Sequence, residues 1–255
     1  PLAYTDEVRD NLHQQRLRFD AMSLLPEATS NDIRKAHRTE ERFQHVYIPN
    51  SPLYPYFDNL WIADGSHFVY YNAYTIYYPN LNSDEIKAVG YYDLTFKLPP
   101  VPRRGTYEVR WGYDSNPRRG MGQIFFGSDP NNLPVTGIPI DMTKSTVDCF
   151  GEGAVDISDT GDPDVDSEID HKLRNHGIMK SAKHEVHESN ISWSARNDER
   201  CTRHILTRQT LDPDKTYYLR FKSVLDSDRK EFYMDYLEWC PKEIYDNPAV
   251  PEDIW

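Results

Sequence analysis

The stretch Gly90–Gly127, GYYDLTFKLPPVPRRGTYEVRWGYDSNPRRGMGQIFFG, constrains the fold more than any other part of the chain. Tyr92, Leu94, Phe96 and Leu98 alternate with Asp93, Thr95 and Lys97, a period of two that marks a strand with one buried face. Pro99–Gly105 interrupts the pattern with three prolines and a glycine. Alternation then resumes, with Tyr107, Val109, Trp111 and Tyr113 on one face and Glu108 and Arg110 on the other. The polar loop Asp114–Gly120 leads to a third strand around Met121–Phe126. Three antiparallel strands with one large apolar face require a second sheet to cover it, which predicts an antiparallel β-sandwich.

The same pattern returns in Lys215–Leu225, with Tyr217, Leu219 and Phe221 inward and Tyr218, Arg220 and Lys222 outward. The hexads Thr106–Trp111 (TYEVRW) and Thr216–Phe221 (TYYLRF) are alike, but nothing around them keeps a common period, so they read as two half-buried strands launched from turns. Glu231–Trp239 is expected to close the sheet by pairing with Lys215–Leu225 across the turn Asp226–Lys230. Leu94, Phe96, Val109, Trp111, Leu219 and Phe221 are the expected core.

Composition narrows the partners. With 255 residues the chain can bury a sizeable core, and 18 Tyr, 10 Phe and 5 Trp supply the area that a 38% hydrophobic fraction leaves short. A net charge of −12 argues against nucleic acid, whose phosphates need clustered Lys and Arg. No run of 18 apolar residues is present, so no membrane span is expected. The start at Pro1, without a signal peptide, reads as a piece of a longer or processed protein. Three cysteines, Cys149, Cys201 and Cys240, are too few for a disulfide scaffold and leave one bridge or free buried thiols open.

Along the chain, Thr5–Leu25 reads as a helix ended by Pro26, and Ser30–Asp32 as the cap of a short second one over Ile33–Ala36. These make residues 1–46 a helical lead-in and residues 47–255 the sandwich domain. Trp61-Ile62 and Phe68–Tyr71 read as strands, and Tyr74–Tyr78 as a sheet face, with a sugar-stacking platform the alternative. Short strands are expected over Pro130–Asp148, where Ile138 and Ile140 alternate. Gly151–Asp170 reads as an acidic loop; its Asp162, Asp164 and Asp166 have the spacing of calcium ligands but lack the glycine and glutamate of that pattern. His171, His176, His184 and His187 match no zinc spacing. Lys172–Lys183 reads as a basic loop or short helix. No nucleophile elbow, metalloprotease helix, P-loop or dinucleotide motif occurs, so neither a metal nor a cofactor is expected.

Loops are where a sandwich keeps its ligand sites, because its strands are committed to the core. The loop YDSNPRR offers an aromatic ring at Tyr113, a carboxylate at Asp114, an amide at Asn116 and guanidiniums at Arg118 and Arg119. That mixture suits a sugar, and the two arginines point to an acidic or sulfated one. Ion pairing of the arginines with Asp156–Asp170 is the competing role. Trp193 is the second candidate.

Several segments resemble the domain that follows fasciclin repeats in surface lipoproteins of Gram-negative gut bacteria. They are LRFDAMSLLPE (Leu17–Glu27), Tyr91–Tyr113, GIPIDM (Gly137–Met142), Tyr217–Trp239 and EDIW (Glu252–Trp255). The core is also similar to the galactose-binding-like jelly roll of carbohydrate-binding modules, through the Pro-rich turn before Tyr107 and the Asp235-Tyr236 pair. These resemblances imply an exported, non-catalytic cell-surface module for adhesion or carbohydrate binding. Its partners would be a glycan or surface protein and an upstream fasciclin domain. The alternatives are a glycan hydrolase using two carboxylates and a structural spacer.

Overall fold

The computed structural model describes residues 16–20, 44–45, 57–62, 67–72, 84–151, 156–181, 186–187, 190–224 and 230–247. They form a mainly β protein of antiparallel sheets with few helices. Strands are numbered along the chain. The first sheet has the order β1 (Leu17–Asp20), β16 (Tyr236–Pro241), β7 (Gly105–Asp114), β13 (Cys201–Leu211), β10 (Ile178–Lys180). The second has the order β3 (Phe57–Ile62), β6 (Tyr92–Lys97), β14 (Tyr218–Ser223), β8 (Met121–Gly127), β9 (Ile140–Asp141). A third joins β15 (Glu231–Met234), β5 (Asp84–Val89), β4 (His67–Asn72) and β2 (Gln44–His45), and β11 (Val186–His187) pairs with β12 (Asn190–Ser194).

The inner faces of the first two sheets meet in one aromatic core. All six residues expected there are 0–1% exposed. The hexads end on rings that touch across it, Trp111 of β7 and Phe221 of β14, with centroids 5.0 Å apart. Farther along, Phe126 stacks on Tyr217 at 5.6 Å and meets Trp239 edge-on at 6.1 Å.

The connectivity differs from the expectation that the three strands of Gly90–Gly127 present one common face to a second sheet. The alternation in Gly90–Gly127 is real, but β6 and β8 lie in one sheet and β7 in the other. The proline run at Pro99–Pro102 carries the chain across the core instead of back along an edge. Glu231–Trp239 does not pair with Lys215–Leu225 either: β14 sits between β6 and β8. The stretch breaks at Asp235 into β15, which pairs with β5, and β16, which pairs with β1 and β7. Gly112 makes room for this crossing. A methyl group there would overlap the ring of Tyr236, 2.7 Å from its Cδ1 and closer to the next two ring carbons.

Two local expectations change as well. Leu17–Asp20, placed in a helix by its spacing, is an edge strand paired with Tyr236–Trp239. Phe19 packs edge-on against Trp239 at 6.1 Å, and a partner strand supplies what no helical stripe would. The acidic loop ends where helix α1 (Pro163–Asn175) begins. Asp162 is its N-cap, accepting from the backbone N–H of Asp164 at 3.0 Å and Val165 at 3.4 Å, Pro163 opens the first turn, and Lys172 and Arg174 sit at the negative end. Residues 5–15 and 21–25, Ile33–Ala36, the tyrosines Tyr74–Tyr78, His184 and the terminal EDIW lie outside the described residues. Cys201 and Cys240 are buried.

The second face of the first sheet is not solvated. Glu108, Arg110, Arg203 and Glu238 point there and are 0–1% exposed. Arg110 donates to Glu108 and to Glu238, the latter at 2.8 Å; Arg18 reaches Glu238 at 2.7 Å, and Arg174 of α1 reaches Glu108 at 2.8 Å. Burial acts to raise the Glu238 pKa, but the guanidiniums of Arg18, Arg203, Arg110 and Arg16 outweigh it and hold the group well below the usual carboxylate range. The helix α2 (Lys242–Tyr245) comes directly after β16, and its Tyr245 ring lies 5.4 Å from the Arg208 guanidinium.

Candidate functional site

The loop after β7 is clamped on both sides. The N–H of Ser115 donates to the Arg200 carbonyl at 2.8 Å, that of Asn116 to Met142 at 3.3 Å and that of Gly120 to Glu231 at 2.9 Å. The five candidate ligand residues of this loop do not share one exposed surface. Tyr113 is 2% exposed, its ring tilted over Trp111 at 4.4 Å, so the ring presents no face to solvent. Asp114 is 3% exposed, and its carbonyl accepts from Arg119 Nε at 3.1 Å. Asn116 Oδ1 accepts from the Arg118 N–H at 3.0 Å, shaping the turn. Arg119 is buried, ion-paired to Glu231 and laid over Tyr233 at 4.1 Å; its partner is Glu231, not the acidic segment 156–170. Arg118 is the exposed member of the pair. Trp193 lies in β12, which pairs with β11 in a separate two-stranded sheet, and its side chain is outside the described residues.

A concave site does form, next to that loop. A cleft of about 400 Å³ opens between the Thr136–Asp148 segment, the turn after α1 and the middle of β13. Ile138, Ile140, Ile178, Ile205 and Leu206 give it apolar walls, and Ile138 at the rim is 87% exposed. The floor and rim carry Asp141, Lys144, Asp148, His176 and His204. Three separate backbone devices place these groups. The short strand β9 holds Asp141 against Met121 of β8. Gly177, at φ 73°, lets α1 stop and its carbonyl accept from the Ile205 N–H at 2.9 Å. A register shift between Ile205 and Thr207 in β13 turns Leu206 inward, where it joins the core.

The polar groups are unequal in freedom. Asp141 Oδ1 accepts from the Thr143 N–H at 3.0 Å and from its hydroxyl at 2.7 Å. Asp148 Oδ2 accepts from the Ser145 N–H at 2.6 Å and from its hydroxyl at 3.1 Å. Each carboxylate thus spends one oxygen on its own turn. His204 stacks on Tyr113 at 5.5 Å, and loss of hydration pushes its pKa down to about 4, so it is a neutral donor and acceptor at neutral pH. Burial raises the Tyr113 pKa strongly, and the Asp141 carboxylate adds to the rise.

No group of three or more His, Cys, Asp or Glu suited to a metal occurs among the described residues. Of the alternating aspartates, Asp162 caps α1 and Asp166 accepts from Thr160 and Gly161. Asp159 and Asp170 are held by Lys180 and Arg196, with Arg196 Nη2 to Asp170 at 2.6 Å. None of the described helices is long and apolar enough to cross a membrane. Sequence reasoning missed His204 because it missed β13 altogether. Asp141 in the GIPIDM segment and Lys144 just beyond it carry a faint signal, a polar turn directly after a short edge strand.

No protein-family model matches the chain, and no curated protein matches it. Among solved structures, a xanthan lyase from Paenibacillus aligns with a TM-score of 0.40 at 12% identity. The alignment covers 72% of this chain and 12% of that one. A likeness of that depth bears on neither the site nor its chemistry.

Proposed function

We propose that this chain is a non-catalytic carbohydrate-binding module, exported to the cell surface and acting beside a fasciclin-type adhesive region. The observation that carries the carbohydrate reading is the cleft, whose isoleucine walls and convergent carboxylate, amine and imidazole groups match what a sugar unit needs from a site. Adhesion and surface location rest on the sequence resemblance alone. The engagement of one oxygen of Asp141 and one of Asp148 by neighbouring hydroxyls and N–H groups supports a shaping role over a catalytic one. Electrophoresis of the intact chain through gels containing plant and bacterial polysaccharides tests the proposal. Retardation by a glycan is expected, and Ile138→Asp at the exposed rim should abolish it without lowering the melting temperature. Migration unchanged in every gel would remove the reading.

One observation favours a second reading, a two-carboxylate hydrolase: Asp141 and Asp148 line the same cleft. Release of reducing ends from the retained glycan, lost in Asp148→Asn, would establish that reading in place of the first.

A further inference from the structure

The second sheet has an open edge beside β8. The chain runs along it just before β9, and two hydrogen bonds hold it there. The N–H of Phe126 donates to the Pro134 carbonyl at 3.0 Å and that of Thr136 to the Ile124 carbonyl at 3.0 Å, with Val135 opposite Phe125 between them. In an antiparallel pair bonded this way, the backbone groups of the residue between the two bonds point away from the neighbouring strand. The N–H and C=O of Val135 therefore face outward, and neither is hydrogen-bonded among the described residues.

The side chains of this edge are open too. Among the described residues four large hydrophobic side chains are exposed, and two of them, Val135 at 59% and Ile138 at 87%, lie here. A Cβ added at Gly137, between them, would meet nothing within 4 Å. An apolar strip on an open sheet edge is a template for another chain unless something blunts it, and charged side chains are a common means. Residues 130–140 contain no charged side chain, although 27% of the chain is charged, so that protection is missing here. Pro139, with no N–H to offer, ends the open run.

Charge decides which partner suits this edge. The net charge of −12 makes two copies repel over most of their surface. They can meet without opposing like charges only where the surface is neutral, as it is here. Pairing about a two-fold axis also sets each apolar residue against the same strip on the partner. We infer that the chain forms a homodimer through residues 135–138, with the outward backbone groups of Val135 paired to the other copy and Val135 and Ile138 covered. The contact is short, so the dimer is weak, with a Kd on the order of 10–100 μM. Residues 136–140 also line the cleft, so the pairing sets two clefts next to one another.

Sedimentation velocity of the full chain from about 1 to about 500 μM, a range that brackets this Kd, tests the inference. No glycan is present, so the outcome is independent of how the cleft is read. The parent is expected to pass from monomer to dimer across the range. It should do so at lower concentration when salt is raised, because salt screens the repulsion between the two copies. Val135→Lys, at a residue outside the cleft lining, sets like charges across the two-fold axis. It should weaken association at least about 10-fold and leave the melting temperature unchanged, since the side chain is exposed. Val224→Lys, the same change at a valine exposed elsewhere, should dimerise as the parent does. A parent that stays monomeric, or that grows past the dimer, would overturn the inference. So would a Val135→Lys that associates like the parent, or a Val224→Lys that does not associate.

Discussion

Arg110 and Glu238 face each other from adjacent strands, β7 and β16, with Nη1 and Oε1 2.8 Å apart and neither side chain exposed. Glu108 and Arg203 lie on the same face, and Arg174 and Arg208 close on Glu108 from α1 and β13. The first sheet therefore separates two buried layers of opposite character, aromatic on one side and ionic on the other. Charges so placed are held by one another and not by water, and their removal is costly one at a time.

Arg110→Met is expected to destabilise the protein by about 3 kcal/mol, at the low end for a broken buried pair because Arg18 and Arg203 still reach Glu238 and Arg174 and Arg208 still reach Glu108. Urea denaturation at neutral pH measures this. A loss within about 0.5 kcal/mol, the range of ordinary surface substitutions, would mean that water reaches this layer.

His204 sets a pH window. Its folded-state pKa is near 4 and its unfolded-state value near 6.5, so as pH falls the unfolded chain takes the proton first. Its contribution to stability is full above about pH 6.5 and is lost as pH falls towards about 4. Melting temperature across that window should drop more in the parent than in His204→Gln. Parallel curves would show that the imidazole is hydrated in the native state.

Gly112→Ala tests the crossing at Tyr236. The overlap is with a ring buried at 1% exposure, not with the end of a flexible chain, so the strand or the ring must move. A cost of about 1–3 kcal/mol is expected. The penalty should shrink in the Tyr236→Ala background, a coupling that a double-mutant cycle reads directly.

The neighbouring arginines Arg118 and Arg119 should behave as opposites. Arg118→Ala, on the exposed turn, should lie within about 0.5 kcal/mol of the parent. Arg119→Ala should cost about 3 kcal/mol, at the low end for a buried pair because Lys87 still reaches Glu231 at 2.7 Å. Equal losses would place both side chains in the same environment.

The sheet faces were legible where one face was apolar and the other polar, as in β6, β7 and β14. What was not legible was which sheet each strand joins, because alternation reports a strand's two faces and says nothing of its neighbours. β13 escaped notice for a related reason. Its Arg203 is 0% exposed in the ionic layer, and its Thr202 and Cys201 are buried too, so CTRHILTRQTL has no clean polar side. A buried arginine reads in sequence as a solvated one until its carboxylate is found on a strand distant in the chain, here Glu238 on β16. The helix α1 was legible in principle, through Asp162-Pro163 and the sign change from Asp164 to Lys172. The cleft was not, since it is assembled from a turn, a two-residue strand and a register shift, none of which leaves a periodic trace.

The place of β16 has a consequence for how the chain is made. Residues 236–241 form the strand between β1 and β7, so an interior strand of the first sheet is the last of the described strands to emerge from a ribosome. Until it arrives, β7 has an open edge, and Trp111 and Val109 lack the Leu237 and Trp239 that face them in register. Pairings this distant in sequence are slow to form, and unpaired edges invite other chains. A nascent or truncated form lacking β16 would carry an aromatic face without Trp239 and an ionic layer without Glu238, and surface left open in this way is prone to association with other chains.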